Sequence, residues 1–205
     1  GDEIWAMRPE GIEDKQLDFF SLLRLNTRTA RVRDVDAPRR ALAGLVDAED
    51  RLRAVWVTEG KGGERASFRI VDLATGRWRE VVNFERARVQ QPSMPSHIAP
   101  DGRWLAVSDE GRDTDALFEY DPVAGRIAER PLLEHPQFDL SPTFVESDRA
   151  LLGARLQLDA EVTHWFDPAH RALQERVDRL LPGTSNRVTP PRRGGSPWVL
   201  VESWA

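Results

Sequence analysis

The stretch Leu117-Phe-Glu-Tyr-Asp121-Pro-Val-Ala-Gly125-Arg126 decides how this chain reads. An apolar-rich run ends in Asp, a short turn follows, and Arg opens a second run. Asp121 and Pro122 stand where a turn opens, and Gly125 stands where positive φ is wanted, which is the chemistry of an antiparallel hairpin. The same order recurs as Ser21-Leu-Leu-Arg-Leu-Asn26 with Arg31, as Phe68-Arg-Ile-Val-Asp72 with Arg77, and as Thr163-His-Trp-Phe-Asp167 with Arg171. The Arg follows five residues after the Asn or Asp in the first three and four after it in the last. The four anchors read as sheet hairpins and not as helix caps.

Upstream of three anchors lies a second element: Asp50-Arg-Leu-Arg-Ala-Val-Trp-Val57, Asp101-Gly-Arg-Trp-Leu-Ala-Val-Ser108 and Asp148-Arg-Ala-Leu-Leu-Gly153. Each is a polar turn leading into an apolar run rich in Val, Leu and Trp, the pattern of a central strand covered on both faces. Four strands per unit follow. The anchors are spaced 46, 49 and 46 residues apart, and a period of roughly 40 to 50 residues is that of four-stranded propeller blades. The expected fold is therefore all-β, a β-propeller fragment of about four blades of antiparallel sheet in a single partial domain, residues 1–205. Its units run over 1–38 (lacking its opening strand), 39–86, 87–134, 135–183 and 184–205 (two strands only). In the fourth unit Ala172, Leu173, Val177, Leu180 and Leu181 recur at helical spacing before Pro182-Gly183, which predicts a short amphipathic helix near 171–181 in place of or beside the outer strand. A chain that starts inside one blade and stops inside another is expected to be a fragment, or a ring closed by pairing its ends.

The 205 residues carry 29 basic against 34 acidic side chains, a net charge of −5 and no cysteine. Without cysteine, disulfides, thiolate nucleophiles and sulfur-ligated zinc are excluded. Of the basic residues only Lys15 and Lys61 are lysine. The arginines alternate with acids, as in Arg31-Val-Arg-Asp34, where a nucleic-acid footprint would be a stripe of one sign, so no nucleic-acid partner is expected. Apolar runs such as Trp198-Val-Leu-Val201 fall far short of the roughly 20 residues that span a bilayer, and no membrane partner is expected. Seven tryptophans beside one tyrosine suit half-buried strand positions.

The chemistry-bearing candidates each have a structural reading. The acidic loop Asp109-Glu-Gly-Arg-Asp113-Thr-Asp115 offers oxygen ligands but lacks the order of a calcium loop, so it reads as a solvated turn. His97, His135, His164 and His170 form no H-E-x-x-H, and the last two flank the expected hairpin at Asp167, so no metal is assigned. Gly60-Lys-Gly-Gly63 lacks a phosphate-loop pattern and reads as a hairpin tip. Gln90-Gln-Pro-Ser-Met-Pro95 and Thr189-Pro-Pro191 read as connections between units. Gly194-Gly-Ser-Pro-Trp198 falls short of the G-x-S-x-G elbow, because Trp198 replaces the last Gly and Pro197 has no N–H for an oxyanion hole; Ser196 reads as a loop residue. No catalytic residue and no cofactor is assigned.

The segment Ser96-His-Ile-Ala-Pro-Asp-Gly-Arg-Trp-Leu-Ala-Val107 resembles the S-x-D-G-K/R repeat of TolB-like propellers and of the propellers of prolyl oligopeptidase-family serine peptidases. The later succession Leu151-Leu-Gly153, Trp165-Phe-Asp-Pro168, Leu173-Gln174, Val177-Asp178, Leu181-Pro-Gly183, Asn186-Arg187 and Trp198-Val-Leu-Val-Glu-Ser203 is similar to bacterial acylaminoacyl-peptidase and dipeptidyl-aminopeptidase-like members of that family. The likeness covers most of the chain and is strongest from about 95 to 203. It implies a non-catalytic propeller that restricts access of oligopeptides to a Ser, Asp, His site in an α/β-hydrolase domain farther along the same polypeptide. That domain and the peptide substrates are the partners it implies, and the chain alone is expected to be inactive. The alternative is a stand-alone TolB-like propeller that binds a protein partner. A third reading, an enzyme with its site in a central channel, needs converging carboxylates or histidines at the blade starts, where the sequence offers Ser93, Ser96 and Ser141.

Overall fold

The computed structural model describes residues 2–10, 19–60, 63–87, 92–192, 196 and 198–205. Among them the chain is mostly β, with sixteen strands in several antiparallel sheets and one helix. Its contacts divide it into two units, residues 1–92 with the turn 122–125, and residues 93–121 with 126–205.

In the first unit, β1 (Glu3–Glu10), β2 (Phe19–Asn26) and β3 (Val32–Asp34) pair in sequence, followed by the meander β4 (Ala41–Val46), β5 (Leu52–Glu59), β6 (Arg65–Val71) and β7 (Trp78–Glu85). The stretches expected as two successive units thus share one seven-stranded sheet, joined through the single pairing Phe20↔Ala41. The expected anchor turns are present. Asn26 accepts at Oδ1 from the N–H groups of Arg28 and Thr29, at 3.1 and 2.9 Å. Asp72 accepts likewise from Ala74 at 2.8 Å. Each turn closes through a second bond, Ala30 N–H to Asn26 O at 2.9 Å and Gly76 N–H to Asp72 O at 2.7 Å. Gly76 and, in the turn at Asp121, Gly125 have φ of 69° and 72°; Ala30, a residue with a Cβ, holds φ 56° at the matching place. Leu22, Ala41, Leu52, Val55 and Val57 form the core, with Trp5, Val35 and Trp78 packed against it.

The second unit holds three sheets. β8 (Pro95–Ile98), β9 (Trp104–Ser108), β10 (Ala116–Asp121) and β11 (Arg126–Ile127) form a four-stranded meander, and β12 (Thr143–Glu146), β13 (Leu151–Gln157) and β14 (Glu161–Trp165) a three-stranded one. After α1 (Pro168–Leu180), β15 (Ser185–Thr189) and β16 (Leu200–Trp204) form the third. The inner strands are covered on both faces, as expected: Trp104, Leu105 and Ala106 in β9 and Leu151 to Ala154 in β13 are buried. Each fully buried Leu or Phe of this kind contributes about 1.5–3 kcal/mol. Consecutive sheets stack: Leu105, Leu117 and Leu151 share one cluster with Phe144, and Val145, Leu152, Trp165, Val177 and Val188 share the next. Polar staples cross the first junction, where His97 in β8 bonds Glu146 in β12 at 2.6 Å and its ring stacks on Phe144 at 4.5 Å.

The fourth anchor corrects the hairpin reading. Asp167 is a helix N-cap: its carboxylate accepts the His170 N–H at 2.9 Å, Pro168 opens the helix, and Arg171 lies inside it. Proline in the first turn and a capping Asp outweigh the shared Asp-to-Arg pattern. The helix therefore begins three residues before the expected start and takes the place of a fourth strand beside β14. Its apolar face is also narrower than the spacing implied. Val177 is buried and Leu173 packs beside it, while Ala172, Leu180 and Leu181 are exposed.

Candidate functional site

The loop from β9 to β10 determines which acidic side chains meet. Glu110 (φ 42°) and Gly111 (φ 75°) turn the chain back, and the Glu110 N–H donates to Ser108 Oγ at 3.1 Å. The Ser93 hydroxyl donates to the Glu110 carboxylate at 2.8 Å and lies 2.6 Å from Ser108 Oγ. Arg112 lies over the Phe118 ring, 5.0 Å from its centroid, with Glu134 3.7 Å from its Nε.

The end of the loop is tied to the segment before β12. Thr114 Oγ1 donates to the His135 carbonyl at 2.8 Å, Asp115 N–H to Asp139 Oδ1 at 2.8 Å, and Leu140 N–H to the Asp115 carbonyl at 3.0 Å. These bonds bring Asp115 and Asp139, 24 residues apart, to one cleft of about 340 Å³, which Ser96, Ser141, Val107 and Phe144 also line. Burial pushes the Asp115 carboxyl above its ordinary value, and the charges of Asp139 and Asp109 add to the shift. An electronegative recess edged by two serines suits a cationic hydrogen-bond donor such as an ammonium or guanidinium group.

At the blade starts the sequence offers Ser96 and Ser141, which are themselves neither carboxylate nor histidine; in the structure the acids come from Asp115 and Asp139. Asp115 ends a stretch that reads in sequence as a solvated turn, and Asp139 falls in no motif. The bonds of Thr114 and Asp115 to the segment 135–140 link them, and no local motif announces these bonds. Among the described residues no three His, Asp or Glu side chains gather as a metal site.

The histidines lie apart in structural roles. His97 staples β8 to β12. His135 Nδ1 accepts from the Gln137 N–H at 3.2 Å. His164 packs near Phe166 at 5.3 Å, and burial, then the charge of Arg171, holds its ring below the usual histidine range. His170 does not flank a hairpin: it sits in the first turn of α1, bonded to Asp167 at 2.6 Å and stacked on Trp165. Ser196 is exposed and its hydroxyl accepts the Trp198 N–H at 3.2 Å; Gly194, Gly195 and Pro197 lie outside the described residues, as do Lys61 and Gly62 of the glycine-rich tip and Gln90-Gln91 of one connection. A second cleft, of about 470 Å³, lies in the first unit, where Ser21 and Arg8 hold Glu10 below its usual range and Arg8 also reaches Asp34 at 3.5 Å.

No helix among the described residues is long and apolar enough to cross a membrane. The chain matches no family model, and no curated protein matches it.

Proposed function

We propose that this chain is the β-propeller portion of a prolyl oligopeptidase-like serine peptidase, whose role is to restrict access of oligopeptides to an α/β-hydrolase active site carried elsewhere in the polypeptide. The observation that carries the reading is the recurrence of one building unit. A polar turn leads into a doubly covered strand, and a hairpin whose turn opens at an Asp, Asp72 or Asp121, follows it in β5–β7 and in β9–β11; the sheets of the second unit stack in chain order. Such repeating sheets are how propellers bury their faces. The carboxylate-lined cleft between Asp115 and Asp139 fits this role, because peptides carry ammonium and guanidinium groups that it would favour. Fold-level likeness alone does not fix function, so the test is made on chemistry.

The polypeptide is expressed from its gene, read past Ala205, and treated with a fluorophosphonate probe. Labelling of a serine outside residues 1–205, with none inside them, is the expected result. Labelling within 1–205 overturns the assignment of a non-catalytic role. A reading frame that carries no G-x-S-x-G, Asp and His beyond Ala205 overturns the peptidase reading in favour of a TolB-like module that binds a protein.

A further inference from the structure

Arg40 ends the loop before β4 with φ 65°, in the left-handed region, although it carries a Cβ. Its carbonyl is fixed from β5, where the Thr58 N–H donates to it at 2.9 Å and the Thr58 hydroxyl at 3.4 Å. Ala41, the next residue, is buried and pairs with Phe20 of β2 on one side and Val57 of β5 on the other. The backbone at Arg40 is thus locked between two strands. Its guanidinium lies over the Phe19 ring, 4.9 Å from the centroid.

That guanidinium differs from those of the other arginines that bury a nitrogen without a partner. Arg24 pairs with Asp50 and Glu3, Arg53 with Asp47, and Arg69 with Glu59 and Glu80, while Arg155 donates to the Val188 carbonyl and the Thr189 hydroxyl. Each of these has acceptors for its remaining nitrogens. At Arg40 the Nε is buried without an acceptor, and among the described residues no carboxylate or carbonyl bonds the two terminal nitrogens, which are not buried. A left-handed backbone and an uncompensated cation therefore meet at one residue, and proteins concentrate such costs where they bind ligands. Phe19 covers one face of the planar group and its Nε edge is closed, which leaves Nη1 and Nη2 as the accessible edge. Two N–H donors in one plane match the two coplanar oxygens of a carboxylate.

We propose that Arg40 is a carboxylate-binding residue, whose two terminal nitrogens take both oxygens of a ligand carboxylate, at the side chain or the free end of a peptide. Phe19 holds the plane of the guanidinium and so lowers the ordering cost of binding, and the backbone fixed by Thr58 sets where the fork stands. The inference stands on Arg40 and its neighbours in the first unit and not on the peptidase reading.

The test uses nitrogen-labelled chain 1–205 and NMR of the shielded Arg40 Nε–H and the Phe19 ring. Acetate at constant ionic strength is expected to shift both signals saturably, whereas chloride and an end-blocked alanine peptide should not. An end-blocked glutamate peptide and an alanine peptide with a free terminal carboxylate then distinguish the source: saturation by either supports the site, and the tighter of the two names the ligand class. Arg40→Lys, which keeps the charge and loses the fork, should weaken acetate binding about two- to five-fold. Arg40→Gly suits the left-handed backbone and so retains the fold, and with it the saturable shift at the Phe19 ring should vanish. Shifts that grow linearly with acetate, saturation that persists in Arg40→Gly, or tighter binding of phosphate than of acetate would each overturn the proposal.

Discussion

The indole N–H of Trp5 donates to the carboxylate of Asp50 at 2.7 Å, across 45 residues. The same carboxylate is bonded by Arg24, whose guanidinium lies over the Trp5 ring, 4.3 Å from its centroid. Asp50 makes these bonds from φ 63°; its N–H closes a turn to the Asp47 carbonyl as the Gly102 N–H does to that of Ala99, and Gly102 has φ 88° at the same place. Backbone strain and side-chain bonding therefore oppose each other at one residue.

Substitution separates the two. Asp50→Ala loses the bonds and keeps the strain, and should cost about 2 kcal/mol; Asp50→Gly loses the bonds and relieves the strain, and should cost about 1 kcal/mol. Urea denaturation of the three proteins should rank them Asp, Gly, Ala.

Ala30 is the reverse case, strained with no side-chain compensation. It stands where Gly76 and Gly125 stand in the sister turns. Ala30→Gly should stabilise by about 0.5–1 kcal/mol, the release of left-handed strain exceeding the added freedom of the unfolded chain. A lowered urea midpoint would show that the turn tolerates its Cβ.

Asp47 is buried and is held by four donors: Glu49 N–H, Arg51 N–H, Arg51 Nε and Arg53. Burial alone would raise its pKa, but the bonds from Arg51 and Arg53 together outweigh it and hold the carboxyl below its ordinary value of 3.8. Its contribution is thus present above the unfolded pKa and lost as pH falls below about that value. Asp47→Ala should cost about 3 kcal/mol at pH 7 by leaving arginine donors without their acceptor, and the difference from the parent should narrow in acid. Guanidinium-free urea titrations at pH 7 and pH 3 measure both.

Asp115 has the opposite sign. Its pKa is raised in the fold, so the ionised form is disfavoured there, and stability falls as pH climbs from the unfolded value through the folded one. Asp139→Asn keeps an oxygen acceptor for the Asp115 N–H and removes one repelling charge. The variant should lose less stability between pH 3.5 and pH 7 than the parent, and carboxyl NMR should show Asp115 titrating lower. An unchanged Asp115 titration would mean that burial and the charge of Asp109 set the shift without Asp139.

What could be read beforehand was what neighbouring residues dictate. Asn26, Asp72 and Asp121 mark turns because their side chains or the following glycines serve groups two to five residues on, and the doubly covered strands announce themselves by composition. Asp167 carries the same signal with Pro168 behind it, and the proline redirected the chain into a helix whose packing through Val177 and Leu173 only the neighbouring sheets could specify. Gly153 shows another limit: a Cβ there would lie 2.7 Å from the His164 carbonyl, a demand set by the adjacent strand and not by its own run. The Asp115–Asp139 cleft was hidden for the same reason, since its partners meet only after two loops have folded.

The pairing order bears on how the molecule forms. Strands join mainly to their immediate neighbours in the chain, and even the bridge Phe20↔Ala41 closes over a short span. Closing short loops costs little chain entropy, and topologies rich in local contacts fold fast. Each meander can therefore assemble as soon as its own strands have left the ribosome, before the later ones exist.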